Sequence, residues 1–228
     1  MKQHRFDDRF PNLKRNIFIV TYGRSGSTLL QRMIQTIPDC TIRGENNNVM
    51  ETIWKSAQRV RRTRADWGKK PQPELSPWHG ADQVRPLVFA TSMIDAMVDS
   101  VLRPPKNARY FGFKEIRYFT VGNNLPLLLD FMRAHFKDAF FIFNTRNAED
   151  VLKSRWWKNR DPEHVRAIVE SSDKTFAEYH NAHPEFTQLV RYEDFSVEPD
   201  ALRPLFEKLG ENFDPLKIYP ILNQRLVH

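Results

Sequence analysis

The segment Thr21-Tyr-Gly-Arg-Ser-Gly-Ser-Thr28 gathers small residues, hydroxyls and one guanidinium within eight positions. It follows the apolar run Ile17–Thr21 and precedes a helical pattern of apolar residues ending before Pro38. Arg24, Ser25, Gly26, Ser27 and Thr28 therefore stand where a strand hands over to a helix. At such a junction backbone N–H groups converge and the helix dipole favours negative charge, which makes an anion site. The hydroxyls add donors, and Arg24 adds a planar fork that can hold phosphate through two hydrogen bonds. The pattern G-x-x-x-x-G-K-[ST] is not met, because Ser27 and Thr28 follow Gly26 with no lysine between. The chemistry on offer is to cradle a phosphate-like group without the lysine that ATPases aim at the β- and γ-phosphates. Taken alone, the loop can also be an ordinary glycine turn.

A second pair lies further on. Arg146 follows the apolar run Ala139–Asn144, at the end of a strand where open α/β sheets bind their ligands. Ser154 stands eight residues later, about two helical turns along if the chain is helical there. The two could grip a second phosphate. By itself the pair also fits a surface arginine and a helical serine.

The elements that must position these residues follow from periodicity. Strands are predicted at 17–21, 110–116, 139–144 and 187–191, and helices at 28–37, 49–64, 87–102, 125–136, 148–157, 162–182 and 199–209. Strands alternating with helices predict an α/β fold, a central parallel sheet flanked by helices in three layers. The whole chain, 1–228, is expected to form one domain, with 1–15 as an N-terminal extension. Residues 66–86 carry Trp67, Trp78, His79 and several prolines with little periodicity, the mark of a functional loop.

Composition narrows the function classes. With 40% hydrophobic and 28% charged residues the chain is globular, not disordered. The net charge of +7 points to an anionic partner. Arg59, Arg61, Arg62 and Arg64 form the one dense basic cluster, and without a recognisable module or stacking aromatics beside it no nucleic-acid partner is expected. Cys40 is the only cysteine and the seven histidines are scattered, so neither a disulfide framework nor a metal site is expected. No apolar run approaches the ~20 residues of a membrane span, and the charged N-terminus lacks the apolar core of a signal peptide. The expectation is a soluble, cytoplasmic protein without stable membrane insertion.

The two phosphate motifs together resemble those of the PAPS-dependent sulfotransferase family, whose donor is 3′-phosphoadenylyl sulfate. Thr21–Leu29 resembles the family's 5′-phosphosulfate loop, and Asn144–Ser154 its 3′-phosphate motif, with the family's arginine-to-serine spacing. Tyr110–Arg117 looks like the lysine-bearing strand of bacterial and Golgi-type members. Leu189–Phe195 with Pro199 and Leu205–Gly210 looks like their closing strand and helix. The likeness spans roughly 17–215 and is nearer the tyrosylprotein and carbohydrate branch, with Arg24 where the cytosolic small-phenol enzymes carry lysine.

The resemblance implies a P-loop-like sulfotransferase fold, PAPS as co-substrate, PAP as product and no metal. It implies that Arg24, Ser25, Gly26, Ser27 and Thr28 bind the 5′-phosphosulfate and that Arg146 and Ser154 bind the 3′-phosphate, with Lys158 and Tyr192 beside the nucleotide. Arg24 and Lys114 would stabilise the charge that builds during transfer; Lys114 could instead be a structural ion-pair partner, for example of Glu115. The base would be Glu45, in Arg43-Gly-Glu-Asn46, where related sequences often read Gly-Glu-Glu. His79 is the alternative base, because the small-phenol branch uses a histidine. The acceptor would be a small-molecule or glycan hydroxyl, with a carbohydrate or glycoconjugate foremost, and 66–86 would lie on the acceptor side. Two further readings remain open at this point: a P-loop kinase or NTPase, distinguishable by magnesium dependence, and a PAP-binding protein without catalysis.

Overall fold

The computed structural model describes residues 4–154, 156, 157 and 159–222. The chain divides into two compact units, one formed by residues up to Asn47 together with those from Pro104 onward, the other by Asn48–Arg103.

The first unit is built on a five-stranded sheet. Its strands are β1 (Arg15–Val20), β2 (Cys40–Arg43), β3 (Tyr110–Glu115), β4 (Phe140–Thr145) and β5 (Thr187–Arg191), in the spatial order β2-β3-β1-β4-β5. Every pairing is parallel; Ile17 lies beside Gly112 on one flank and Phe140 on the other. Strands covered on both faces lose the polar alternation of a half-wet sheet. That is why Ile17–Val20 and Phe140–Phe143 run as unbroken apolar stretches with no exposure at all. Phe18 sits at the centre, with its ring about 5 Å from those of Phe113 and Phe136 (5.0 and 4.9 Å between centroids). The chain leaves β1 towards β3 and β2 on one side and β4 and β5 on the other. Such a reversal opens a crevice beyond the carboxyl ends of the strands.

The helices of this unit are α1 (Ser27–Ile34), α4 (Leu125–His135), α5 (Ala148–Leu152), α6 (Pro162–Ala182), α7 (Tyr192–Phe195), α8 (Arg203–Leu209) and α9 (Pro215–Leu222). Phe6, Phe10 and Leu13 are buried, and the Phe6 ring packs against Phe111 at 5.8 Å.

In the second unit, α2 (Val49–Trp67) and α3 (Pro86–Met97) pack together, and α3 passes into a π-turn at Val98–Leu102. Between α2 and α3, residues 68–85 of the expected loop have little regular structure apart from one 3₁₀ turn at Ala81–Gln83. Its two tryptophans stack face to face, with Trp67 and Trp78 rings 4.8 Å apart and 3° from parallel.

Two differences from the sequence reading bear on the site. The helix predicted over 148–157 stops at Leu152, because the next residues are tied to the β1–α1 loop, as described below. Strand β2, absent from the periodicity reading, is a four-residue edge strand only partly buried, too short to show a pattern.

Candidate functional site

The β1–α1 loop rises over the crevice with its backbone turned outward. Arg24 and Gly26 take positive φ angles of 69° and 78°. The Gly26 carbonyl accepts from the Leu29 amide (3.0 Å), starting α1. Among the described residues no acceptor takes the amides of Arg24 through Thr28. A run of unsatisfied amides at the start of an eight-residue helix is an anion cradle in itself.

Two aromatic side chains hold the loop. A Cβ on Gly23 would lie 1.8 Å from the Trp156 ring, and one on Gly26 2.0 Å from the Tyr192 ring. Both positions are glycine because an aromatic face rests directly on the backbone. Trp157 is buried and donates its indole N–H to the Gly23 carbonyl (3.1 Å). These contacts hold Trp156 and Trp157 off a helical path, which is why α5 is short. Beneath the loop the Thr21 hydroxyl donates to the Asn144 carbonyl (2.6 Å) and accepts from the Ser25 hydroxyl (2.7 Å). The Asn144 side-chain amide donates to the Ser25 carbonyl (2.9 Å).

Arg146 crosses from the end of β4 to the same loop. Its guanidinium donates to the Arg24 carbonyl (2.9 Å) and lies 4.2 Å from the Tyr192 ring centre. Its Nε is buried without a partner. The Tyr22 hydroxyl clamps the Arg146 backbone: it accepts from the Arg146 amide (2.8 Å) and lies 3.0 Å from the Arg146 carbonyl. Burial, and then the nearby Asp173 charge, raise the Tyr22 hydroxyl far above the ordinary tyrosine range, so it stays protonated. Burial also pushes the Asp173 carboxyl up to about 6.

At the end of β3 the arrangement is different. Lys114 is almost wholly buried and its Nζ lies 2.7 Å from Glu45 Oε1. Arg117 Nη1 reaches Glu45 Oε2 at 3.1 Å and Glu115 Oε1 at 3.2 Å. Glu115 is fully buried and accepts from the amides of Ile116 (2.8 Å), Arg117 (3.1 Å) and Asn46 (3.1 Å). Lys114 and Glu115 are neighbours on one strand and point to opposite faces, so they do not pair. The partner of Lys114 is Glu45, delivered by the short strand β2.

These groups surround one cavity of about 420 Å³, lined among others by Arg24, Gly26, Ser27, Thr28, Glu45, Lys114, Arg146 and Tyr192. Neither Arg24 nor Arg146 has a carboxylate at ion-pair distance among the described residues. Ser25 is fully buried, with its hydroxyl turned into the loop. Ser154 lies two residues beyond α5, and its side chain accepts from the Trp156 amide (3.3 Å); it does not line the cavity. Lys158 lies outside the described residues. His79 belongs to the second unit, where it is exposed and its ring nitrogen sits 3.1 Å from the Gln72 carbonyl. Sequence reasoning overlooked Trp156, Trp157 and Tyr22; two adjacent tryptophans directly after Ser154 were the available signal.

Sheet order and the strand-to-helix loop together define an α/β fold of P-loop-like architecture. Residues 16–215 match the sequence model of the Sulfotransferase family, and the chain belongs to that family. Its reaction class is the transfer of a sulfuryl group. No curated protein sequence matches it. Among solved structures it is similar to the sulfotransferase domain from the Synechococcus PCC 7002 olefin synthase, with a TM-score of 0.59 and 20% identity over 95% of this chain and 80% of that one. It is also similar to the sulfotransferase domain from the curacin biosynthetic pathway, with a TM-score of 0.56 and 17% identity over 89% of this chain and 75% of that one. At these identities the likeness is one of fold.

Proposed function

We propose that the protein transfers the sulfuryl group of PAPS to a hydroxyl of a carbohydrate or glycoconjugate, with Glu45 as the base. The observation that carries this reading is the single cavity in which unpaired cations and free amides face a carboxylate held by two further cations.

The residues present fit the donor. The free amides of Arg24 to Thr28, with the Ser27 and Thr28 hydroxyls, suit the 5′-phosphosulfate. The unpartnered Nε of Arg146 suits the 3′-phosphate. Ser154, two residues beyond α5, would have to turn towards the cavity to extend that second contact. Tyr192, packed on Gly26 and Arg146, offers a flat face beside the nucleotide.

Transfer breaks the S–O bond to the 5′-phosphate and forms an S–O bond to the acceptor oxygen. Lys114 and Arg117 fix the Glu45 carboxylate at the cavity wall, and each carboxylate oxygen keeps a lone pair that can take the acceptor proton. Arg24 and Lys114 face the oxygens on which charge accumulates as the bond to sulfur breaks. Arginine stays protonated, so Arg24 acts through charge alone. Lys114 can also donate a proton to the departing phosphate.

Incubation with sulfur-radiolabelled PAPS and a panel of glycans tests the reading. Label transfer that persists in EDTA and disappears in Arg24→Ala is the expected result. PAPS that is neither bound nor consumed would sink it.

A further inference from the structure

A second cavity of about 240 Å³ opens on the other side of Trp156, within the same unit. Trp156 lines both cavities, and Arg117, which holds Glu45, lines this one. Trp156 is thus a wall common to both cavities, and Arg117 ties the second one to Glu45. Its walls are aromatic. Trp156 meets Trp157 edge to face at 4.4 Å, and Phe119 tilts against Trp157 at 6.3 Å. Trp156 keeps 46% of its surface open, so its ring is a platform rather than a buried core group.

The rim is cationic. Arg160 and His164 line the cavity, and neither side chain has a hydrogen-bond or ion-pair partner among the described residues. No acid lines it. The neighbouring acids are engaged elsewhere: Asp161 caps α6 by accepting from the Glu163 amide (3.2 Å), and Glu163 pairs with Arg166. An unpaired arginine over an aromatic wall selects an anion attached to a ring. A pyranose suits the wall, with C–H bonds on its face and hydroxyls at its edge. The volume lies below the ~300 Å³ at which drug-sized ligand clefts begin, so it admits about one ring.

Resting on the function proposed above, we propose that this cavity is the acceptor subsite and that it takes an acidic sugar unit. The ring lies on Trp156 and Phe119, and its carboxylate or sulfate meets Arg160 and His164. One hydroxyl is then turned past Arg117 towards Glu45. The acceptor is in this account an anionic glycan, not a neutral one.

The test titrates methyl β-D-glucuronide and methyl β-D-glucoside into the full chain, with and without PAP, following tryptophan fluorescence and heat. Glucuronide binding in the millimolar range, about tenfold tighter than glucoside, is expected. Arg160→Ala should abolish that preference while PAP affinity stays unchanged; Arg160 is exposed, so the variant folds. His164→Ala alone should reduce the preference without abolishing it. Equal binding of the two sugars, no binding of either, or a preference that survives the double variant would overturn the proposal. If PAP fails to bind but the glucuronide preference appears, the donor reading falls and the subsite stands. If PAP binds and the preference is missing, the subsite falls alone.

Discussion

The two strand ends that face each other across the cavity handle charge in opposite ways. At β1 and β4, Arg24 and Arg146 stand, among the described residues, without carboxylate partners at ion-pair distance and beside a row of amides with no acceptor. At β3, every charged group is matched: Lys114 and Arg117 enclose Glu45, and Arg117 also meets Glu115. Unmatched cations store attraction for an incoming anion, because the counter-charge must come from outside. Matched charges store geometry, since a carboxylate held on both oxygens has little freedom to move. In the proposed function one end serves binding and the other positions a reactive carboxylate.

That contrast is broken most severely at Glu45. Glu45→Gln should reduce turnover by about 10²- to 10⁴-fold, the usual contribution of a general base, with PAP affinity unchanged by calorimetry. A loss of PAP affinity to match the loss of turnover would mean that both ends serve binding. Next comes Arg146→Ala, which should weaken PAP by roughly 10- to 100-fold through loss of a charge-assisted phosphate contact. Its melting temperature should barely fall, because among the described residues the side chain's hydrogen-bond and ring contacts are one carbonyl and one ring.

The glycines sharpen the contrast. Gly23→Ala places a methyl into the Trp156 ring and should cost about 1–3 kcal/mol in thermal or chemical denaturation. Gly44→Ala, beside Glu45, meets open space and should leave stability within roughly 0.5 kcal/mol of the parent. Equal effects would mean that the aromatic seats do not shape the loop.

The smallest effect concerns Asp173, beneath Tyr22. Burial raises its carboxyl from 3.8 to about 6, so the folded chain binds a proton there that the unfolded chain has released. Stability from this group is present below pH ~4 and is lost as pH rises through about 6. Asp173→Asn should remove that fall and raise stability at pH 7 by roughly 1 kcal/mol, allowing for partial solvent contact. Melting curves at pH 4 to 8 read it directly; a variant whose pH profile matches the parent would contradict the assignment.

Much of the binding end was legible in the sequence, for a local reason. Strand, small-residue loop and helix are consecutive, so Arg24 to Thr28 and their place at the strand-to-helix junction sit within one window of periodicity. Arg146 was legible because the apolar run before it ends abruptly. The supporting aromatics were not. Nothing local says that Trp156 and Trp157 rest on Gly23 from more than 130 residues away, and this long-range contact is also what cuts the helix at Leu152. The positioning end was legible only in part. Glu45 and Lys114 could be singled out, but the pairing of Lys114 with Glu45 depends on β2, an edge strand of four residues without a readable pattern. His79 shows the reverse case, a residue of the right chemical type whose ring nitrogen rests on a neighbouring carbonyl within its own unit.

The measurement that bears most directly on the central claim is a calorimetric titration of the purified protein with PAP and with ATP, each with and without magnesium. Micromolar PAP binding that is indifferent to magnesium and far exceeds ATP binding is the predicted result. Magnesium-dependent ATP binding with no preference for PAP would contradict it, and the unpaired cations would then serve a different nucleotide.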